Sequence, residues 1–308
     1  MKKPNFFIVG APKCGTTALF TYLGEHPEIY TPYLPDSLEA LQGGKKELNF
    51  FGSDLDFGRP SLAEYLRYYE AADQEAHLGE SSVFYLASHT AASEIYQFCP
   101  EARILMMLRN PVDMMYSWHS QLLFWGDENI ETFGEALAAE PQRRKGENLP
   151  ARRDHPSPCY LYRDIARYTE QIQRYFKVFK QEQIQIIIFD DFKANPQAVY
   201  HSVLEFLGCQ DQTFEPNFAV VNANKTIRNR GLQQLLRHQP GFVRSLKTLV
   251  PPFLRKNMRK TIEDYNTKSE ARQPLSVELQ SQLKQEFQAE VEALSQLLNR
   301  DLTHWTSP

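Results

Sequence analysis

The stretch that most constrains the fold is "NFFIVGAPKCGTTALFTYL", residues 5–23. A short apolar run ends at Gly10, a glycine-containing loop follows, and from Thr16 onward the apolar spacing is helical. Continuous apolar runs are typical of buried parallel strands, and the free N–H groups at a helix N-terminus attract anions. The stretch therefore predicts a strand–loop–helix unit that binds a phosphate group.

The loop differs from the common nucleotide-binding loop in the place of its lysine. In G-x-x-x-x-G-K-[ST] the lysine follows the second glycine, where it reaches the β- and γ-phosphates. Here Thr16 follows Gly15, and the lysine is Lys13, inside the loop. We expect Lys13 to lie over the bridging oxygen of a shorter, two-centre anhydride. Gly15, Thr16 and Thr17 supply backbone and hydroxyl donors beside it.

A second strand–helix junction repeats this arrangement in "LRNPVDMMYSW", residues 108–118. Arg109 follows an apolar run, Pro111 occupies a first helical position, and Ser117 lies two helical turns further on. Ligands of open α/β sheets bind beyond the carboxyl ends of the strands, and an arginine fork suits a phosphate. Together, the two junctions suggest a ligand with two separated phosphate groups.

Apolar runs and helical patterns alternate along the whole chain. We therefore predict a three-layer, P-loop-like α/β fold with a central, mostly parallel sheet flanked by helices, and a single domain over residues 1–308. The pattern predicts a further buried strand over 184–192, long helices over 160–179 and 276–298, and a loop over 140–158.

Charge and composition narrow the functional class. The formal net charge is -4, which does not favour a nucleic-acid partner, although residues 225–260 hold ten Lys/Arg and no Asp or Glu. No apolar run approaches the roughly 18 residues of a membrane helix. The four cysteines lack metal-ligand spacing, so we expect free thiols. We expect a cytoplasmic enzyme or binding protein without an integral membrane segment.

Together with "KELNFF" (46–51), these motifs resemble the sulfotransferases that use 3′-phosphoadenosine 5′-phosphosulfate (PAPS), in particular the heparan-sulfate type and its bacterial counterparts. The resemblance implies transfer of a sulfuryl group to a hydroxyl or amine of a carbohydrate or small metabolite. It implies adenosine 3′,5′-bisphosphate (PAP) as product and no metal. In that family the loop holds the 5′-phosphosulfate and its lysine contacts the bridging oxygen, while the arginine and serine bind the 3′-phosphate. The matching positions are Lys13, Cys14, Gly15, Thr16, Thr17, Arg109 and Ser117.

The resemblance also suggests the group that activates the acceptor. It assigns Glu47, in "KELNFF", as general base, with His119 as the second candidate. A basic lid over the 3′-phosphate is expected from Lys225, Arg228 and Arg230. One departure is Ser81 in "GESSVFY", where some relatives carry a second catalytic lysine. The acceptor is therefore not expected to be highly anionic.

Two other functional classes stay open at the level of sequence. A magnesium-dependent P-loop kinase or NTPase would use the same loop, with an aspartate of "IIIFDD" (186–191) orienting the metal. A non-catalytic nucleotide-binding module would bind without turnover. Magnesium dependence separates the first from a sulfotransferase, and product formation separates the second.

Overall fold

The computed structural model describes residues 2–32, 46–151, 153–218, 225–227, 267–269 and 272–307, with only the backbone described for 225–227 and 267–269. The chain divides into two compact units. The first comprises Met1–Met115, Arg163–Val221 and Ser281–Pro308, and the second comprises Tyr116–Tyr162 and Asn222–Gln280.

The first unit is built on a five-stranded sheet of order β2-β3-β1-β4-β5, in which every neighbouring pair is parallel. This confirms the predicted parallel α/β sheet. All five residues of the central strand β1 are buried. The strands are β1 (Phe6–Gly10), β2 (Ile29–Tyr30), β3 (His77–Ser81), β4 (Arg103–Leu108) and β5 (Ile184–Ile188).

Helices flank this sheet, and the second unit holds the antiparallel pair β6 (Lys225–Ile227) and β7 (Thr267–Ser269). Among the described residues the helices are α1 (Thr16–Gly24), α2 (Leu62–Arg67), α3 (Ala91–Phe98), α4 (Pro111–Trp125), α5 (Phe133–Ala138), α6 (Glu140–Arg143), α7 (Tyr162–Ile165), α8 (Tyr168–Phe176), α9 (Phe189–Ala194), α10 (Pro196–Leu207), α11 (Val277–Glu286) and α12 (Gln288–Leu298). None of these helices is long and apolar enough to cross a membrane.

The predicted helix over 160–179 is broken in the structure. A 3₁₀ turn at Ser157–Tyr160 precedes α7, and Arg167 leaves the helical conformation before α8 begins. The buried amide of Gln171 donates to the carbonyls of Asp164 and Ile165, at 2.8 and 3.2 Å. The Asp164 carbonyl also accepts the Arg167 N–H at 3.3 Å, so the Gln171 amide adds to the backbone hydrogen bonds at the break.

Three further predictions about elements need correction. The predicted helix over 276–298 is two helices, because the backbone at Phe287 (ψ 2°) departs from helical values. The predicted strand over 184–192 ends at Ile188. It lies at the edge of the sheet and is only partly buried, so its run of isoleucines did not indicate a fully buried strand. The predicted loop over 140–158 contains the short helix α6.

Candidate active site

The loop between β1 and α1 is shaped by its two glycines. A Cβ at Gly10 would lie 2.6 Å from Leu86 Cβ and 2.7 Å from the Val83 carbonyl oxygen, so no side chain fits there. Gly15 caps α1 in the left-handed region, with φ 87°. Between them Lys13 also has a positive φ, 62°. The loop therefore places Lys13 ahead of the helix N-terminus, as the sequence predicts.

Cys14 is a buried structural part of this loop. Its thiol is inaccessible to solvent and donates to the Pro12 carbonyl oxygen at 3.4 Å. Burial raises the pKa of the thiol to about 12. The side chain is therefore no nucleophile at neutral pH, and only the backbone N–H of Cys14 is suited to meet an anion.

Arg109 links the second junction to the loop. Its guanidinium donates to the Lys13 carbonyl oxygen at 3.5 Å and to Asp113 Oδ2 at 3.4 Å. It also lies over the Phe189 ring, 4.9 Å from the ring centroid. Because β1 and β4 are parallel neighbours, both junctions lie at the carboxyl edge of the sheet. The two predicted anion-binding elements thus meet at Arg109.

The segment "KELNFF" contributes an ion pair beside the same loop. Lys46 is buried, and its ammonium lies 2.7 Å from Glu47 Oε1 and 3.4 Å from Thr16 Oγ1. The other Glu47 oxygen accepts the Val83 N–H at 2.8 Å. The Glu47 side chain is 34% exposed, so its carboxylate is held on both oxygens while solvent still reaches it. Sequence reasoning did not assign Lys46 to the site.

Glu80, near the end of β3, is a fully buried carboxyl in the same unit. It accepts hydrogen bonds from the hydroxyls of Tyr65, Tyr85 and Ser82. Burial raises its pKa from 4.5 to about 7, and the nearby charge of Glu47 acts in the same direction. The titratable groups that interact with it are Tyr65, Tyr69, Tyr85, Tyr175 and Glu47.

The raised pKa of Glu80 predicts a pH-dependent stability difference. Between about pH 4.5 and 7 the folded protein keeps a proton that the unfolded chain has released, so raising the pH through this window destabilises the fold. The Glu80→Gln variant lacks this loss. From pH 4.5 to 8 the free energy of unfolding of the wild type should fall by up to about 3 kcal/mol relative to that of the variant, as the size of the pKa shift implies. Urea unfolding of both proteins at several pH values measures this, and parallel curves would contradict the raised pKa.

Two predicted residues, Ser117 and His119, lie in the second unit. Ser117 is 3% exposed, and its hydroxyl accepts from Arg272 Nη2 at 3.0 Å. The Arg272 guanidinium lies over the Tyr116 ring, 5.0 Å from its centroid. Arg272 thus joins the predicted phosphate serine, and it follows no motif that would have identified it. The role of Ser117 stays a prediction.

His119 is 1% exposed, and its Nε2 lies 2.9 Å from the Ile130 carbonyl oxygen. The imidazole packs against the rings of Phe133 and Tyr162. This surrounding is that of a core histidine with a hydrogen-bond partner. Its predicted role as a base stays a prediction.

Of the predicted basic lid, only Lys225 lies among the described residues. Lys225 begins β6, of which the backbone alone is described. Arg228 and Arg230 lie outside the described residues, as does most of the basic stretch over 225–260.

The aspartates that would orient magnesium in a P-loop NTPase are already engaged. They lie in the first turn of α9, beyond the end of β5. Asp190 Oδ2 accepts from Trp305 Nε1 at 2.8 Å, and both oxygens of Asp191 pair with Arg300. The guanidinium lowers the pKa of Asp191. Both side chains tie the C-terminal part of the chain to α9, which gives them a structural role.

One group among the described residues has metal-ligand atoms close together: Glu28, His77 and Cys209, within 4.8 Å of one another. The Glu28 carboxylate already accepts the backbone N–H groups of Gln210 and Asp211. Burial raises the pKa of the Cys209 thiol to about 12. These contacts anchor the chain after α10.

Comparison with known proteins places this chain in a family. The family profile for the sulfotransferase domain matches residues 3–236. The bifunctional heparan sulfate N-deacetylase/N-sulfotransferase 2 of Bos taurus is 27% identical over 208 residues, which are 67% of this chain and 22% of that protein. The membrane-associated sulfotransferase kil1 of Dictyostelium discoideum is 23% identical over 273 residues, 66% of this chain and 56% of that protein. The chain thus spans only about a fifth of the length of its heparan-sulfate relatives, 22%.

A solved structure extends the likeness over the whole chain. The crystal structure of a sulfotransferase from Alicyclobacillus acidocaldarius matches with a TM-score of 0.72 at 28% identity, and the match covers 100% of both chains. The fold predicted from the sequence is confirmed by this match as well as by the sheet order.

Proposed function

The chain belongs to the sulfotransferase family, and we propose that it transfers the sulfuryl group of PAPS to a hydroxyl or amine of an acceptor. The observation that supports this most directly is the hydrogen bond between the Arg109 guanidinium and the Lys13 carbonyl. A lysine placed inside the loop suits the oxygen between phosphorus and sulfur, and an arginine bound to the same loop suits a second phosphate. PAP is the expected product.

Sulfuryl transfer requires charge stabilisation, proton removal and alignment of the two substrates. Side chains of the first unit can perform the first two of these tasks. The acceptor oxygen or nitrogen forms a bond to sulfur while the bond from sulfur to the phosphate oxygen breaks. Lys13 stabilises the negative charge that develops on that leaving oxygen. Glu47 accepts the proton that the acceptor loses. The third task, alignment, falls to the N–H groups at the start of α1.

Glu47 is the better placed of the two proposed bases. Its carboxylate is partly exposed, and Lys46 and the Val83 N–H each occupy one oxygen, which leaves further lone pairs for a substrate proton. His119 is buried, and its Nε2 faces a backbone carbonyl. We therefore keep Glu47 as the proposed base and His119 as its competitor.

The kinase alternative is not favoured. The loop lacks the Walker pair of lysine and Ser/Thr, and Asp190 and Asp191 have structural partners. We propose that catalysis needs no metal. Turnover with PAPS should therefore survive a chelator, whereas loss of activity on adding it would support a magnesium-dependent enzyme.

The acceptor is proposed only as a class, a carbohydrate or small metabolite. Ser81, which stands where some relatives carry a lysine, is fully buried at the end of β3. An acceptor panel with PAPS, read by mass spectrometry for a sulfate adduct, tests the proposed activity. The predicted cytoplasmic location stays a prediction.

The nucleotide assignment predicts that PAP binds more tightly than 5′-AMP. A charge-assisted hydrogen bond contributes about 1.5–3 kcal/mol, so the 3′-phosphate should tighten binding ~10-fold to more than 100-fold. Arg109→Ala should remove much of this difference and leave 5′-AMP binding nearly unchanged. Ser117→Ala should have a weaker effect, because a neutral hydroxyl contributes less. Calorimetry at fixed ionic strength measures both nucleotides on each protein.

A matched control is available in Arg67, an exposed-surface arginine in the last turn of α2. Arg67→Ala should leave the preference for PAP unchanged. Equal affinity of the wild type for PAP and 5′-AMP would contradict the assignment, as would a preference for ATP with magnesium.

A further inference from the structure

Glu80 is a buried titratable group for which the proposed chemistry has no use. It lies in β3, directly beside the central strand β1, with its side chain completely buried. Tyr85 Oη and Ser82 Oγ both donate to Glu80 Oε1, at 2.5 and 2.8 Å, and Tyr65 donates to Oε2. Burying a carboxyl costs free energy, and the three hydroxyl hydrogen bonds offset part of that cost.

Two of these hydroxyls also accept backbone N–H groups of the segment that carries Glu47. Tyr85 Oη accepts the N–H of Phe50 at 2.7 Å and that of Phe51 at 3.1 Å. Ser82 Oγ accepts the N–H of Asn49 at 3.1 Å. Three consecutive amides of this segment therefore end on side chains that Glu80 holds.

The direction of these bonds follows from the inventory of a phenol. A tyrosine hydroxyl has one hydrogen and two lone pairs. Since both lone pairs of Tyr85 face the N–H groups of Phe50 and Phe51, its hydrogen must point to an acceptor, and Glu80 Oε1 is that acceptor. Glu80 thus provides the acceptor for the Tyr85 hydrogen in a buried site.

The segment needs such an anchor because it has no regular secondary structure. Residues 47–50 are neither helix nor strand, and Asn49 has a left-handed backbone with φ 51°. Here side chains satisfy the N–H groups of Asn49, Phe50 and Phe51. Val83, whose N–H donates to Glu47 Oε2, lies between Ser82 and Tyr85 in the chain.

We propose that Glu80 is a positioning residue for the general base: through Tyr85 and Ser82 it fixes the backbone of residues 49–51 and thereby the place of the Glu47 carboxylate. The proposal rests on the proposed function, in which Glu47 accepts the acceptor proton. Glu80 itself touches neither substrate, and its effect on turnover passes through Tyr85 and Ser82.

The tyrosines allow a matched test. Tyr65 and Tyr85 are both fully buried, both donate to Glu80, and both pack edge-on against the Phe51 ring. Only Tyr85 also accepts the two backbone N–H groups. Tyr85→Phe should lower kcat about 10–100-fold, the cost of a small misplacement of a catalytic group. Tyr65→Phe should stay within about threefold of the wild type. PAP affinity, measured by calorimetry, should be unchanged in both.

Glu80 is tested directly by a conservative and a disruptive change. The Glu80→Gln amide keeps a carbonyl oxygen for Tyr85 and Ser82 and can donate to Tyr65, so most turnover should remain. Glu80→Ala removes the acceptor and should lose turnover to the same extent as Tyr85→Phe. If Glu80→Ala fails to fold, the pair of tyrosine variants decides.

Amide hydrogen exchange keeps this inference separate from the proposed function. Exchange at the amides of Phe50 and Phe51 should be at least about tenfold faster in Tyr85→Phe than in Tyr65→Phe, because only Tyr85 accepts these two N–H groups. If no acceptor is sulfated by the wild type, the proposed function fails, and exchange alone then decides whether Glu80 and Tyr85 hold the segment. Equal exchange at these amides in the two variants, or equal kcat, would overturn the positioning role.

Discussion

Replacing Lys13 by alanine is expected to lower turnover with PAPS by about 100–1,000-fold, the usual cost of removing one stabiliser of developing charge. The reason lies in the loop, where Lys13 precedes the helix N-terminus with φ 62° and Arg109 binds its carbonyl. Alanine leaves that backbone contact in place. The loss should appear in kcat, because the charge on the leaving oxygen develops only in the transition state.

The Lys13 prediction is checked with three measurements on the same variant. Thermal unfolding should be close to the wild type, PAP affinity should change little because PAP lacks the bridging oxygen, and single-turnover kinetics should show the loss. Lys177→Ala, at an exposed helix C-terminus, is the matched control and should keep full activity. Near wild-type turnover of Lys13→Ala would remove this lysine from the mechanism.

The parts of the site that sequence predicted are those in which chemistry and local structure coincide. The apolar run 6–9, Gly10 and Gly15 specify a strand, a loop and a helix within about ten residues, and the structure shows all three. The same holds for β4, Arg109 and the helix that starts at Pro111 and ends at Trp125. Such signals are local, so neighbouring residues suffice to read them.

The parts that sequence missed depend on contacts between distant residues. Lys46 meets Thr16 across 30 positions, and the Tyr85 hydroxyl meets the Phe50 and Phe51 amides across about 35. Nothing in the spacing of "KELNFF" and "GESSVFY" indicates that they pair. Glu80 was an ordinary acid in the sequence, and only its complete burial shows otherwise.

The helix boundaries that were misplaced have a similar cause. Amphipathic spacing continues across residues 160–179, so periodicity alone favours one helix. The break is stabilised by the Gln171 side chain, which binds the carbonyls of Asp164 and Ile165. Tertiary and side-chain contacts of this kind override helix propensity, and the local sequence does not indicate them.

Changing Glu47 to glutamine is expected to lower kcat about 100–10,000-fold while PAP affinity stays near that of the wild type. The amide has nearly the shape of the carboxylate, and its carbonyl oxygen can still accept the Val83 N–H. It cannot take a proton from the acceptor. It also gives up the ion pair with Lys46, so Lys46→Met is compared to measure the loss due to that contact alone.

The comparison with Lys46→Met separates a base from a structural anion. If Glu47 accepts the proton, Glu47→Gln should lose clearly more turnover than Lys46→Met, and Glu47→Asp should regain part of it, since a carboxylate is restored at a shifted position. Glu101→Gln, an exposed acid before β4, controls for charge and should be active. Equal losses in Glu47→Gln and Lys46→Met would reduce Glu47 to a partner of Lys46. Persistent turnover in Glu47→Gln together with its loss in His119→Gln would move the base to His119.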